Sequence, residues 1–179
     1  MMISCTASKD QGEEGFVSLL NNTTRDWSYT SPEVWNNHDG ILTGVGGQSY
    51  ASTNVQYDNF ILEAEFKPDD IINSGIFVRC PDKTGSANDC YEINISDDHA
   101  NQDFRTGAIV THGKPLAEIN TIGKWNTYKI KADKNHIEVW LNGTKTADLI
   151  DDKVAAGHIV LQVLDKGVIR FRNIRIKEL

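Results

Sequence analysis

The residues best equipped for chemistry lie in two short blocks, Asn73-Ser-Gly-Ile-Phe-Val-Arg79 and Tyr91-Glu-Ile-Asn-Ile-Ser-Asp97. Each alternates apolar with small or polar side chains, and alternate side chains of a β-strand leave opposite faces of a sheet. On that parity Ile76, Val78, Tyr91, Ile93 and Ile95 turn inward, while Gly75, Phe77, Arg79, Glu92 and Asn94 turn outward. Two such strands side by side gather a guanidinium, a carboxylate and an amide on one surface, the best candidate site in the chain. The ordinary alternative is a surface ion pair between Arg79 and Glu92, contributing about 0–1 kcal/mol.

The elements that must position these groups are strands as well. From Asn59 to Lys67 the apolar residues Phe60, Leu62, Ala64 and Phe66 alternate with Ile61, Glu63, Glu65 and Lys67, the pattern of a half-buried strand. Further strands are predicted over Asn73 to Cys80, Cys90 to Ser96, Gly107 to Thr111, Trp125 to Ala132, His136 to Asn142, Gly157 to Val163 and Val168 to Lys177. Asp39-Gly40 and Asn142-Gly143 are hairpin turns, Asp133 to Asn135 is a tight connection, and Asn21 to Thr24 closes an opening strand that starts at Gly15. Helical spacing is scarce, although Asp151 to Ala156 could form one short turn. Many strands joined by short Gly/Asn/Asp turns imply an all-β fold, two antiparallel sheets packed face to face in a jelly-roll sandwich. Arg170 and Arg172 share parity with Ile174 and Ile176, so a bulge or a buried ion pair must intervene in that strand.

The chain has 179 residues, enough for one core, and residues 15–179 read as a single domain after a polar leader over 1–14. A net charge of -7 argues against a nucleic-acid partner and favours a neutral or weakly charged ligand. No apolar run is long enough to span a bilayer. The start, Met1-Met-Ile-Ser-Cys5, reads either as the end of a lipoprotein signal with Cys5 lipidated or as a polar tail with a free thiol. Cys80 and Cys90 bracket a turn-rich loop, and a bridge between them is expected over two free thiols. It would imply an oxidising, extracytoplasmic compartment. Strict alternation puts the two cysteines on opposite parities, so either a bulge intervenes or one lies beyond its strand end. Trp27 and Trp35 read as plugs at the end of a core, and Trp125 and Trp140 as core or sheet-packing residues rather than sugar platforms. No cofactor is expected and no metal-ligand spacing is strong; a structural calcium near Asp97, Asp98 and Asp103 is the alternative to a solvated acidic loop.

Seven blocks in order (Asn73 to Arg79, Tyr91 to Asp97, Thr106 to Ile109, Gly123 to Tyr128, Leu141 to Gly143, Gly157 to Gln162 and Phe171 to Ile176) make the chain resemble the 3-keto-disaccharide hydrolase domain family from about Gly15 to Leu179. The resemblance implies a concanavalin A-like lectin/glucanase fold. It also implies a bacterial setting, secreted, periplasmic or lipid-anchored, as in many Bacteroides relatives. The implied activity is cleavage of glycosides whose sugar carries a ketone at carbon three. That ketone acidifies the C2 proton, so a base can remove it, the aglycone can leave from C1, and water can add back. The paired carboxylates of ordinary glycosidases are not needed.

Carried over by position, the resemblance makes Glu92 the general base and Arg79 the stabiliser of the enolate or holder of the ketone. Asn94 would orient hydroxyls, although it stands where the family usually has glutamine. Gln162 and His158 would line the same groove. The family often carries a histidine shortly after that glutamine, whereas this chain reads Val163-Leu-Asp165; His112 is the substitute. Asp97 falls on the other parity and would cap its strand or bind a cation. The competing functions are a non-catalytic carbohydrate-binding module and a structural domain. A module would present aromatics on the open face, where this chain offers charged and amide side chains.

Overall fold

The computed structural model describes residues 14–20 and 27–179; Cys5 and the turn over Asn21 to Thr24 lie outside them. In chain order the strands are β1 (Val17–Ser18), β2 (Trp27–Tyr29), β3 (Trp35–His38), β4 (Ile41–Val45), β5 (Ser49–Thr53), β6 (Phe60–Pro68), β7 (Asn73–Cys80), β8 (Tyr91–Ile95), β9 (Asn126–Asp133), β10 (His136–Leu141), β11 (Thr144–Ile150), β12 (His158–Leu164) and β13 (Val168–Glu178). They form two antiparallel sheets. One runs β11-β10-β9-β6-β13-β4-β3, with β1 added on β13; the other runs β2-β5-β12-β7-β8.

The core lies between the sheets because alternation gives each strand one apolar side. From the larger sheet come Phe60, Leu62, Ala64 and Phe66 of β6, Tyr128 and Ile130 of β9, and Val139 and Leu141 of β10. The smaller sheet supplies Ile76, Val78, Ile93, Ile95, Leu161 and Val163. Phe66 and Tyr128 stack with ring centroids 4.7 Å apart. Trp27 and Trp35 are both buried, their indole N–H groups donating to the Leu19 carbonyl at 2.7 Å and the Ser49 hydroxyl at 2.9 Å. Trp125 and Trp140 lie on the far side of the larger sheet, under the Arg172 guanidinium at 4.0 Å and the Lys145 ammonium at 5.2 Å.

Two bulges resolve the parity conflicts in the sequence. In β13 the register against β6 slips between Arg172 and Arg175, at Asn173 with φ 51°. The extra residue lets Ile169, Phe171, Ile174 and Ile176 all reach the core while Arg172 pairs with Glu65 outside at 2.7 Å. In β7 the register against β12 slips between the Cys80 and Phe77 pairings, at Arg79 with φ 59°. A one-residue insertion exchanges the faces of everything beyond it. Arg79 therefore turns inward, and Cys80 turns outward to bond Cys90. The backbone of Gly157 presses against this bulge, where an added Cβ would meet the Cys80 carbonyl oxygen at 2.3 Å, so only glycine fits.

Three expectations for elements differ from the fold. Residues 107–111 are no full strand; they lie along the free edge of β8 with a bridge from Ile93 to Ile109, bracketed by left-handed Gly107 and Thr111. Residues 151–156 form no helical turn, because the Val154 backbone is drawn to Tyr91 and Arg79 instead. Strands β2 and β5 went unforeseen: Ser49, Ala51 and Thr53 fill the inward positions of β5, too small and polar to show an apolar alternation.

Candidate active site

The outward face of the five-stranded sheet carries two rows of side chains, fixed by register. One runs Ser52, Val160, Phe77, Glu92; the next runs Tyr50, Gln162, Gly75, Asn94. The Glu92 carboxyl leans from its own row over the empty position at Gly75, where an added Cβ would stand 3.1 Å from Oε1 and 3.2 Å from Cγ. Gln162 flanks the same gap from β12. Its amide oxygen is buried with no hydrogen-bond partner, and the residue is 6% exposed.

Two loops wall this gap. The 81–89 loop, tethered by the Cys80–Cys90 bridge, folds back so that Gly85 touches the ring of Phe77. On the other side Asn94 Nδ2 donates to the Phe104 carbonyl, drawing the 101–105 segment over the end of β8. Withdrawn from water between them, the Glu92 carboxyl is pushed up by burial to about 7. A carboxyl near neutrality can both take and return a proton at physiological pH.

Of the residues expected here, Glu92 and Gln162 are brought together. Arg79 is not: it is fully buried, and its guanidinium donates to the carbonyls of Asp58 at 2.6 and 2.9 Å, Lys134 at 2.7 Å and Val154 at 3.3 Å. The bulge corrects the expected role, because a group sealed behind the sheet cannot meet a ligand on its open face. Asn94 has the expected parity, but its amide is occupied, donating to Phe104 and accepting from the Ile95 amide at 3.0 Å, so it holds a loop instead of a hydroxyl. His158 lies on the open side but opposite Cys80, its Nδ1–H donating to the Thr53 carbonyl at 2.8 Å and Nε2 facing Gln56 at 3.3 Å. His112 lies with its ring tilted against Tyr91, an inward residue of β8, and faces Asp151 at 4.0 Å; it is behind the sheet from Glu92.

Asp97 fastens a loop, accepting from the Thr121 amide at 2.5 Å, the Thr121 hydroxyl at 2.8 Å and the Ile122 amide at 3.4 Å. Among the described residues the one His/carboxylate group with metal-ligand spacing is His136, Glu138 and Asp148 on the larger sheet, where the Lys145 ammonium stands 2.6 Å from both acids. Sequence reasoning missed Tyr50, which borders Gln162 and meets the edge of Phe77 at 6.3 Å. Its signal was the period-two run Gln48-Tyr50-Ser52, masked by the small residues between.

The chain is 29% identical to a candidate glycosyl hydrolase from Parabacteroides distasonis, with a TM-score of 0.79 over 92% of this chain and 99% of that one. It shares its jelly-roll fold with the β-glucanase of Bacillus licheniformis, at 12% identity and a TM-score of 0.66 over 92% and 97% of the two chains. It shares it also with the carbohydrate-binding module CBM66 of Bacillus subtilis, at 16% identity and a TM-score of 0.68 over 86% and 96%. No curated protein matches the sequence. The model of the 3-keto-alpha-glucoside-1,2-lyase-like domain matches residues 15–177, and the chain belongs to that family.

Proposed function

We propose that the chain cleaves glycosides of a sugar oxidised at carbon three, with Glu92 as the base. The observation that carries this reading is a carboxyl at about 7 over a glycine gap on the open sheet of a glycosyl hydrolase-like sandwich. With the sugar ring over Gly75, between Glu92 and Tyr50, Glu92 takes the C2 proton and the electron pair moves into the C2–C3 bond as the ketone becomes an enolate. The enolate then expels the aglycone from C1, leaving a C1–C2 double bond. Water adds its oxygen at C1 and gives its released proton to the aglycone alkoxide, while protonated Glu92 returns the C2 proton. In place of Arg79, Gln162 would donate from its Nε2–H to the C3 oxygen or accept at its amide oxygen from a neighbouring hydroxyl. The Cys80–Cys90 bridge suits an extracytoplasmic compartment.

The test is release of 3-keto-glucose from a 3-keto-glucoside by wild type and Glu92→Gln. Loss of turnover by about a hundredfold or more in the variant supports the base; equal turnover rejects it. A second reading, a non-catalytic carbohydrate-binding module, draws on the sealed Arg79 and on the absence of a histidine at Val163 to Asp165. It predicts calorimetric binding of the intact glycoside without cleavage.

A further inference from the structure

Beyond Gln162 on the same face of β12 stands Leu164, half-buried, and beside it on the β6–β7 connection Ile71 is 61% exposed. With Gly47, Gln48, Asp165 and Lys166 they line an open depression of about 720 Å³. Leu164 is two residues past Gln162, so it lies about 7 Å along the strand from the glycine gap at which the Glu92 carboxyl points. A pyranose ring seated on that gap spans most of this distance, so its C1 substituent can reach the shelf. Leu164 and Ile71 are the aliphatic side chains of this lining and its surface is mostly apolar, so it offers little to the hydroxyls of a second sugar.

A second depression of about 300 Å³ opens past Asn73 and Ser96 and shares Ile71 as its wall. Its lining is polar, with Asp98 and His99, and two of its acids are already engaged: Asp69 accepts from the Val168 amide at 2.6 Å and Asp97 holds Thr121. The two depressions therefore differ in chemistry. One is hydrocarbon and open, the other polar and partly occupied by the protein's own hydrogen bonds.

We infer that Leu164 and Ile71 form the aglycone subsite and select glycosides with an apolar alkyl or aryl aglycone over disaccharides; this rests on the keto-glycoside reading above. The probes are cyclohexylmethyl 3-keto-glucoside and a 3-keto-disaccharide, compared in wild type, Leu164→Ser/Ile71→Ser and Leu164→Met. The expected result is a ratio of kcat/KM values, alkyl over disaccharide, that falls about tenfold in the double serine variant and is kept in Leu164→Met. Comparing ratios between proteins cancels the difference in leaving-group ability. A ratio unchanged in the serine variant, or both substrates losing equally, overturns the subsite. If no protein turns over either probe, the reading of the reaction fails, and calorimetric binding of the same probes still tests the shelf. Tighter binding of the alkyl glycoside, lost in the serine variant, supports it; equal affinity overturns it.

Discussion

Replacing Glu92 by glutamine should make the protein more stable above about pH 4.5, by an amount that grows until pH passes about 7. The carboxyl rises from an ordinary 4.5 to about 7 on folding because it is withdrawn from water. Between those values the native state holds a proton that the unfolded chain has released. Stability therefore falls as pH rises through this window and levels off above 7. At about 1.4 kcal/mol per pH unit, the rise amounts to roughly 3 kcal/mol. Glutamine keeps the shape of the protonated acid and cannot ionise, so it escapes this cost. The assay is urea or thermal unfolding of both proteins at pH 4.5 and pH 8.5 with the disulfide oxidised. The curves should nearly coincide at pH 4.5, and the variant should lead by about 3 kcal/mol, or roughly 6–12 °C in Tm, at pH 8.5. A difference that does not change with pH would refute the reasoning, since it would return Glu92 to an ordinary acidity and remove its fitness as a base. The same substitution should abolish turnover, so stability and activity move in opposite directions at one residue.

Arg79→Met should destabilise the fold by about 3–5 kcal/mol in urea melts, because the carbonyls of Asp58, Lys134 and Val154 lose their donor together; activity per folded molecule should persist, in contrast with Glu92→Gln. Gly75→Ala should leave Tm within a few degrees but cut kcat about tenfold, since a methyl 3.1 Å from Oε1 must displace the carboxyl; unchanged kinetics would show that the acid does not work over this gap. Cys80→Ser/Cys90→Ser should cost about 2–3 kcal/mol through the entropy of an unclosed ten-residue separation, read by thermal unfolding against the oxidised wild type.

The sheet that carries the site was legible because β7, β8 and β12 show period-two alternation, and that pattern gives the inward and outward faces. Bulges were legible only as contradictions. Arg170 and Arg172 sharing a parity with Ile174 and Ile176, and Cys80 opposing Cys90, each signalled one extra residue without saying where it sat. The location depends on which residue accepts a left-handed backbone and what packs behind it, and both are tertiary facts: Asn173 reaches Glu65 at 2.6 Å, and Gly157 makes room at Arg79. Asn94 failed as a ligand residue for a similar reason. Parity set its direction, but the Phe104 carbonyl that claims its amide arrives from a loop ten residues on.

The displaced Arg79 also governs the chemistry of the site. A guanidinium beside Glu92 would favour the carboxylate and lower its pKa, as an adjacent cation does by one to three units. Such an acid would be fully ionised at neutral pH and a weak base. Because the bulge sends that cation behind the sheet, to backbone carbonyls, burial acts on Glu92 without a charge to oppose it, and the carboxyl settles near neutrality. The same extra residue turns Cys80 outward, and the bridge to Cys90 then tethers the loop that shields Phe77 beside the acid. One insertion thus removes the counter-charge and supplies part of the wall, and both effects push the carboxyl in the direction that proton abstraction from a keto-sugar requires.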